Sequence, residues 1–214
     1  MEITNTTGHK GLGKTALAAE VVNLWHSRFD WVLVVQSRGY AMNASAFYQQ
    51  MDSLLVRLNK AYREDCQDDE YRQILLAQDE PARYETMREN LLAVLESYPI
   101  LLIIDNFEIN LLAESQGYVC QEPEWTELLT VFVTRLQGHS RVIITSRHRP
   151  VILVDKTVWL ALGPLPNNEA RLFLQSHQVL NQLWYSDVDD KKLVSKVLDI
   201  SHGHPLIVAG FGEW

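Results

Sequence analysis

Cysteine is nearly missing from this chain: Cys66 and Cys120 are the only two among 214 residues. Two thiols that far apart build neither a disulfide framework nor a zinc site, and they fit a reducing, cytoplasmic setting. Long apolar runs are missing too. Stretches such as "ILLII" are far too short to span a bilayer. The opening "MEITNTT" has neither the charged nor the apolar region of a secretory signal. No run is rich in lysine or arginine, and the formal net charge is −8, so neither nucleic acid nor an acidic membrane is an expected partner. Internal repeats and low-complexity tracts are also lacking. What these absences leave is one compact domain with room for a small companion, 47% hydrophobic and 21% charged.

Within that frame, strand and helix patterns alternate. A short polar strand, Ile3 to Thr7, precedes a glycine-rich stretch and a helix marked by Leu17, Val21, Leu24 and Trp25. "WVLVV" (Trp31 to Val35) reads as a strand, and Ser45 to Tyr62 as a single helix with Phe47, Met51, Leu54, Leu55 and Leu58 on one face. Between Glu64 and Glu80, seven acids face one base, Arg72, the composition of a solvated surface insertion. A helix from Tyr84 to Leu95 leads into "PILLIIDNFE". A helix near Glu124 to Leu136, the strand "RVIITSR" and a last strand near "VWLAL" follow. Continuous apolar strands separated by helices indicate an α/β fold with a parallel sheet covered on both faces. After "GPLP" the texture becomes helical, which divides the chain into an α/β domain, 1–163, and a helical lid, 164–214.

The glycine-rich stretch is "GHKGLGKT". It satisfies G-x-x-x-x-G-K-[ST], the P-loop pattern. Glycines let a loop turn its N–H groups inward on an anion with no β-carbon in the way. Gly8, His9, Lys10, Gly11, Leu12, Gly13, Lys14, Thr15 and Ala16 are therefore the expected nucleotide-binding segment. Lys14 would reach the β- and γ-phosphates, the Thr15 hydroxyl would hold Mg²⁺, and the helix N-terminus would add its positive end. "LLIIDNFE" delivers one carboxylate, Asp105, at the end of a buried strand, where an open α/β sheet places its ligand. Asp105 is thus the expected second Mg²⁺ residue. "RVIITSRHRP" repeats the format with a basic end, and the fork of Arg147 matches a phosphate oxygen pair.

The order of these motifs, followed by the turn "GPLP" and then "SHGHPL", resembles the NB-ARC/AP-ATPase branch of the STAND signal-transduction ATPases. The resemblance implies a P-loop three-layer sandwich with a five-stranded parallel sheet in the order 5-1-4-3-2 and a small helical lid. It implies that Arg147 senses the γ-phosphate and that Pro205 packs near the adenine. It further implies a switch that stays closed on ADP and opens to oligomerise on ATP, with the fragment alone a monomer. Members of the family continue into a winged-helix unit, sensor repeats and an effector domain, so the chain reads as an excised core or as part of a longer protein.

Two departures bear on rate. Lys10 stands where many members carry a third glycine, which makes the lip of the loop more basic. Asn106 follows Asp105 where many relatives carry a second acid, and an amide cannot serve as a general base. Glu108 is then the nearest remaining catalytic carboxylate, and hydrolysis is expected to be slow. Three rival readings stand beside this one. An ordinary P-loop motor or nucleic-acid ATPase calls for an acid after Asp105 and a basic face. A GTPase calls for N-K-x-D, and "NKAY" at Asn59 to Tyr62 lacks the Asp. A non-catalytic interaction module that keeps nucleotide as a structural ligand fits the same residues.

Overall fold

The computed structural model describes residues 3–7, 11–37, 42–67, 73, 75, 77–176 and 188–205. The chain divides into two compact units, one of Met1–Thr7 with Thr15–Leu160 and one of Gly8–Lys14 with Ala161–Trp214. Seven strands are described: β1 (Ile3–Thr7), β2 (Trp31–Gln36), β3 (Ile100–Asp105), β4 (Leu111–Glu114), β5 (Gly117–Cys120), β6 (Arg141–Thr145) and β7 (Val158–Ala161). The helices are α1 (Lys14–Trp25), α2 (Ala44–Leu58), α3 (Lys60–Gln67), α4 (Glu80–Ser97), α5 (Pro123–Thr134), α6 (Asn167–Ser176) and α7 (Val188–Ser201).

In the first unit, β2, β3, β6 and β1 lie side by side with parallel register, and β7 follows at the β1 edge. The expectation of a single five-stranded parallel sheet is corrected here. Parallel register is described for three strand pairs only, none is described for β7, and a separate antiparallel sheet, β4 with β5, was not anticipated. The physical reasons are local. β7 is four residues long and its apolar side chains are largely exposed, so little of their surface is buried to fix a register. β4 and β5 pair Leu111 with Cys120 through Glu114 with Gly117, which leaves a two-residue turn at Ser115 and Gln116.

The sheet buries its faces unequally. Ile100, Leu102, Ile104, Val142, Ile144 and Val35 point to one face, and α2, α4 and α5 cover them with residues including Phe47, Leu55, Leu91, Leu95, Trp125 and Phe132. Leu101, Ile103 and Ile143 point to the other face, where Ala18 of α1 is buried against them and Val21 and Val22 pack alongside. This alternation follows from the two-residue period of a strand, and the near-continuous apolar runs of β3 and β6 follow from burial on both faces.

Local signals set the helix limits. Asn43 and Asp79 cap α2 and α4 by accepting from the N–H groups of Ala46 at 2.8 Å and Ala82 at 3.0 Å. The single helix expected over Ser45 to Tyr62 is broken at Asn59. That residue is extended and accepts from the N–H of Tyr62 at 3.0 Å, so it ends α2 and caps α3. Between the helices, Arg88 Nη1 lies 2.7 Å from both Glu124 oxygens, and the Tyr48 hydroxyl donates to the same carboxylate at 2.5 Å. Burial, reinforced by Glu124, raises the pKa of the Tyr48 hydroxyl above its ordinary value.

In the second unit, Ala170 and Leu174 of α6 bury against Val197 and Leu198 of α7. The turn after α7 is held by Gly203 at φ +74°, whose carbonyl accepts from the N–H of Leu165 at 2.8 Å. A β-carbon at Gly203 would come within 2.1 Å of the Leu165 carbonyl oxygen, so this position takes glycine for both space and backbone conformation.

Candidate functional site

The first unit gathers polar groups at the carboxyl ends of β2, β3 and β6, where open α/β sheets carry their ligands. Parallel register sets Gln36 directly beside Asp105, and Thr145, the last residue of β6, follows on the other side. Asp105 is buried, and three side chains donate to it. Thr15 Oγ1 reaches its two oxygens at 3.0 and 3.1 Å, Gln36 Nε2 reaches Oδ2 at 2.8 Å, and the Thr145 hydroxyl donates to Oδ1. Such a ring of donors fits a carboxylate and leaves no acceptor opposed to it.

Thr15 is exposed as a residue, being the second residue of α1, yet its hydroxyl spans 90 positions of sequence to meet Asp105. A hydroxyl and one carboxylate are hard oxygen donors of the kind Mg²⁺ takes when phosphates and waters supply the rest of its octahedron. Among the described residues no cluster of three or more His, Cys, Asp or Glu occurs, so they offer no all-protein metal cage. Ala16 is exposed beside Thr15.

Next along β3's exit, Asn106 is left-handed at φ 61°, a conformation that asparagine tolerates better than most side chains. Its N–H donates to Thr145 Oγ1 at 3.1 Å, and its amide lies 3.4 Å from the Ser37 carbonyl. The tight turn then delivers Glu108 to Arg147. Glu108 Oε1 accepts from Arg147 Nε at 2.9 Å and Oε2 accepts from the Arg147 main-chain N–H at 3.3 Å. The neighbouring cation Arg149 is occupied elsewhere, over the Trp159 ring at 4.6 Å and donating to the Leu153 carbonyl at 3.1 Å. His148 stacks on Tyr118 with ring centroids 3.8 Å apart.

The remaining residues singled out by sequence lie in the second unit or outside the described residues. Gly8, His9 and Lys10 lie outside them. Gly11 and Gly13 turn with φ of 84° and 90°, values that favour glycine, while a β-carbon on Gly13 would meet nothing within 4 Å; conformation alone explains it there. Leu12 and Lys14 are buried, and Lys14 opens α1. Pro205 is half-buried just past the Gly203 turn. Gln36 is passed over by sequence, and Thr145 is expected at the ligand edge of the sheet but not as a partner of Asp105. Each is a polar residue ending an apolar run, which is the signal that marks Asp105. A cavity of about 410 Å³ at the opposite, amino-terminal strand ends, lined by Phe29, Leu101 and Arg141, shares none of these residues.

Compared by sequence, the chain matches no family model and no curated protein. By fold it is similar to the crystal structure of a signal transduction ATPase with numerous domains (STAND) protein with a tetratricopeptide repeat sensor from Pyrococcus horikoshii. The TM-score is 0.61 at 18% identity, over 97% of this chain and 26% of that one. The chain therefore spans about a quarter of the protein whose fold it shares.

Proposed function

We propose, from a fold shared with a STAND ATPase, that this chain is the nucleotide-binding core of a STAND-type switch, taking ATP or ADP with Mg²⁺ in the cytoplasm. The observation that carries the reading is the hydroxyl of Thr15 seated on the buried carboxylate of Asp105 at the carboxyl ends of parallel strands. Thr15 directly follows "GHKGLGK", so the residue that meets Asp105 is also the last of a P-loop pattern.

On this reading, Gly8 to Lys14 bind the phosphates through main-chain N–H groups and the Lys14 ammonium. Thr15 and Asp105 hold Mg²⁺, which when bound neutralises charge on the phosphate oxygens. Gln36 and Thr145 orient the Asp105 carboxylate by donating to it. Arg147 reads the γ-phosphate, and Pro205 lies against the adenine. Oligomerisation on ATP belongs to the longer protein that such a core serves.

A specific observation favours slow hydrolysis, or a nucleotide kept without turnover. Asn106 offers no base, and both Glu108 oxygens are engaged by Arg147. The test is calorimetric titration of the chain with ADP, a non-hydrolysable ATP analogue and GDP in Mg²⁺. Binding of both adenine nucleotides with little GDP binding is expected. Preference for GDP, or no binding of any nucleotide, overturns the reading.

A further inference from the structure

Glu108 and Arg147 come from the exits of adjacent parallel strands, and the contact between them has a particular form. One carboxylate oxygen takes Nε and the other takes the main-chain N–H of the same arginine. The two terminal amines of that guanidinium have no hydrogen-bond partner among the described residues. The carboxylate is 9% exposed and the arginine 45%, so the acid is the fixed member of the pair and the arginine the accessible one. The same two segments are tied a few residues back, where Thr145 donates to Asp105 and accepts from the Asn106 N–H. Glu108 therefore rests on the turn that leaves the Asp105 carboxylate, and it grips Arg147 at its root.

A latch that kept Arg147 from an anion would occupy the fork of the guanidinium. This contact leaves the fork open. A general base would need an oxygen open to water, whereas this carboxylate is 9% exposed and each of its oxygens already carries an Arg147 N–H. We propose that Glu108 is the positioning residue for Arg147: it fixes the guanidinium so that its terminal amines are presented to the γ-phosphate of ATP, and it does not activate water. The inference rests on the switch reading above. It assigns to Glu108 a role in distinguishing ATP from ADP in place of the catalytic one suggested by its position after Asp105.

The test measures the Kd of Mg²⁺-ADP and of a Mg²⁺-bound non-hydrolysable ATP analogue on wild type, Arg147→Ala, Glu108→Ala, Glu108→Gln and the double alanine variant. Arg147→Ala is expected to weaken the analogue about tenfold and ADP by less than about twofold, since only one ligand has the third phosphate. Glu108→Ala is expected to give the same selective loss, and the double variant to be no worse than Arg147→Ala alone, the signature of two residues acting as a unit. Glu108→Gln keeps a neutral acceptor for Nε and should fall between wild type and Glu108→Ala. Additive losses, equal weakening of both ligands, or a tighter analogue in Glu108→Ala overturn the proposal, the last by making Glu108 a latch. So does loss of single-turnover hydrolysis in Glu108→Gln with analogue affinity unchanged, which would make Glu108 the base. If Arg147→Ala itself shows no selective loss, or wild type binds neither ligand, the switch reading fails first and this proposal with it.

Discussion

Replacing Asp105 separates its observed tie to three side chains from its proposed hold on Mg²⁺, and the donors around it decide which variant can be used. Three side chains donate to Asp105 in a buried setting: Thr15, Gln36 and Thr145. Alanine would leave the Thr145 and Gln36 donors without their acceptor at about 1–3 kcal/mol each, while the exposed Thr15 hydroxyl can turn to water. That sum is a large part of the stability of an ordinary domain, about 5–15 kcal/mol, so Asp105→Ala reports on folding as much as on metal. Asparagine keeps one oxygen for the Thr145 hydroxyl, the Thr15 hydroxyl can rotate, and the Gln36 amide can turn its oxygen to the new NH₂. Asp105→Asn should therefore cost less than about 2 kcal/mol in urea unfolding. What it removes is the negative charge that, on the switch reading, faces Mg²⁺. Titrations of ADP in Mg²⁺ and in EDTA isolate that term. The Mg²⁺-dependent gain in affinity should shrink at least about tenfold, roughly 1.4 kcal/mol, while affinity in EDTA stays within about twofold. If Asp105→Asn keeps the wild-type gain, Asp105 is no metal ligand and serves only to tie three strand ends together.

Three further outcomes are expected. Gly203→Ala forces a β-carbon toward the Leu165 carbonyl at φ +74° and threatens the Leu165 N–H bond, a loss of about 2–3 kcal/mol in the second unit. Amide exchange in α6 should accelerate about 30- to 150-fold with the sheet of the first unit unchanged, and unaltered exchange refutes the account of that turn. Arg88→Met strands the Glu124 carboxylate, 11% exposed, with only the Tyr48 hydroxyl as its described side-chain donor, and should cost about 3–5 kcal/mol by urea unfolding; a loss below about 1 kcal/mol contradicts it. Steady-state ATP hydrolysis should stay well below the ~1 s⁻¹ low end of ordinary enzymes, and tens of turnovers per second would contradict the proposal that neither Asn106 nor Glu108 serves as a base.

The parts of this molecule that sequence discloses are those whose cause is local. β3 and β6 are runs of apolar residues buried by their neighbours, β2 is an apolar run buried only at Val35, and "ILLIID" announces both the strand and the carboxylate that ends it. The caps Asn43 and Asp79 stand directly before the helices they start. What sequence hides depends on partners far along the chain. Gln36 becomes a neighbour of Asp105 through a register spanning 69 positions, and Thr145 through one spanning 40. The fifth parallel strand was expected from a family pattern, whereas β7 is too short and exposed to carry that weight alone. The β4–β5 pair hid because "LLAE" has helix-forming residues and only the partner strand beyond Gln116 makes it extended. Asn59 reads as a tolerable helix residue until its side chain is seen to cap α3.

If "GHKGLGKT" holds phosphate, Lys14 is the side chain whose loss must weaken nucleotide binding. A charge-assisted contact of this kind contributes about 1.5–3 kcal/mol, so Lys14→Ala should bind Mg²⁺-ADP and the ATP analogue about one to two orders of magnitude more weakly than wild type, with the fold intact by circular dichroism. Equal affinity of wild type and Lys14→Ala for both nucleotides would contradict the account.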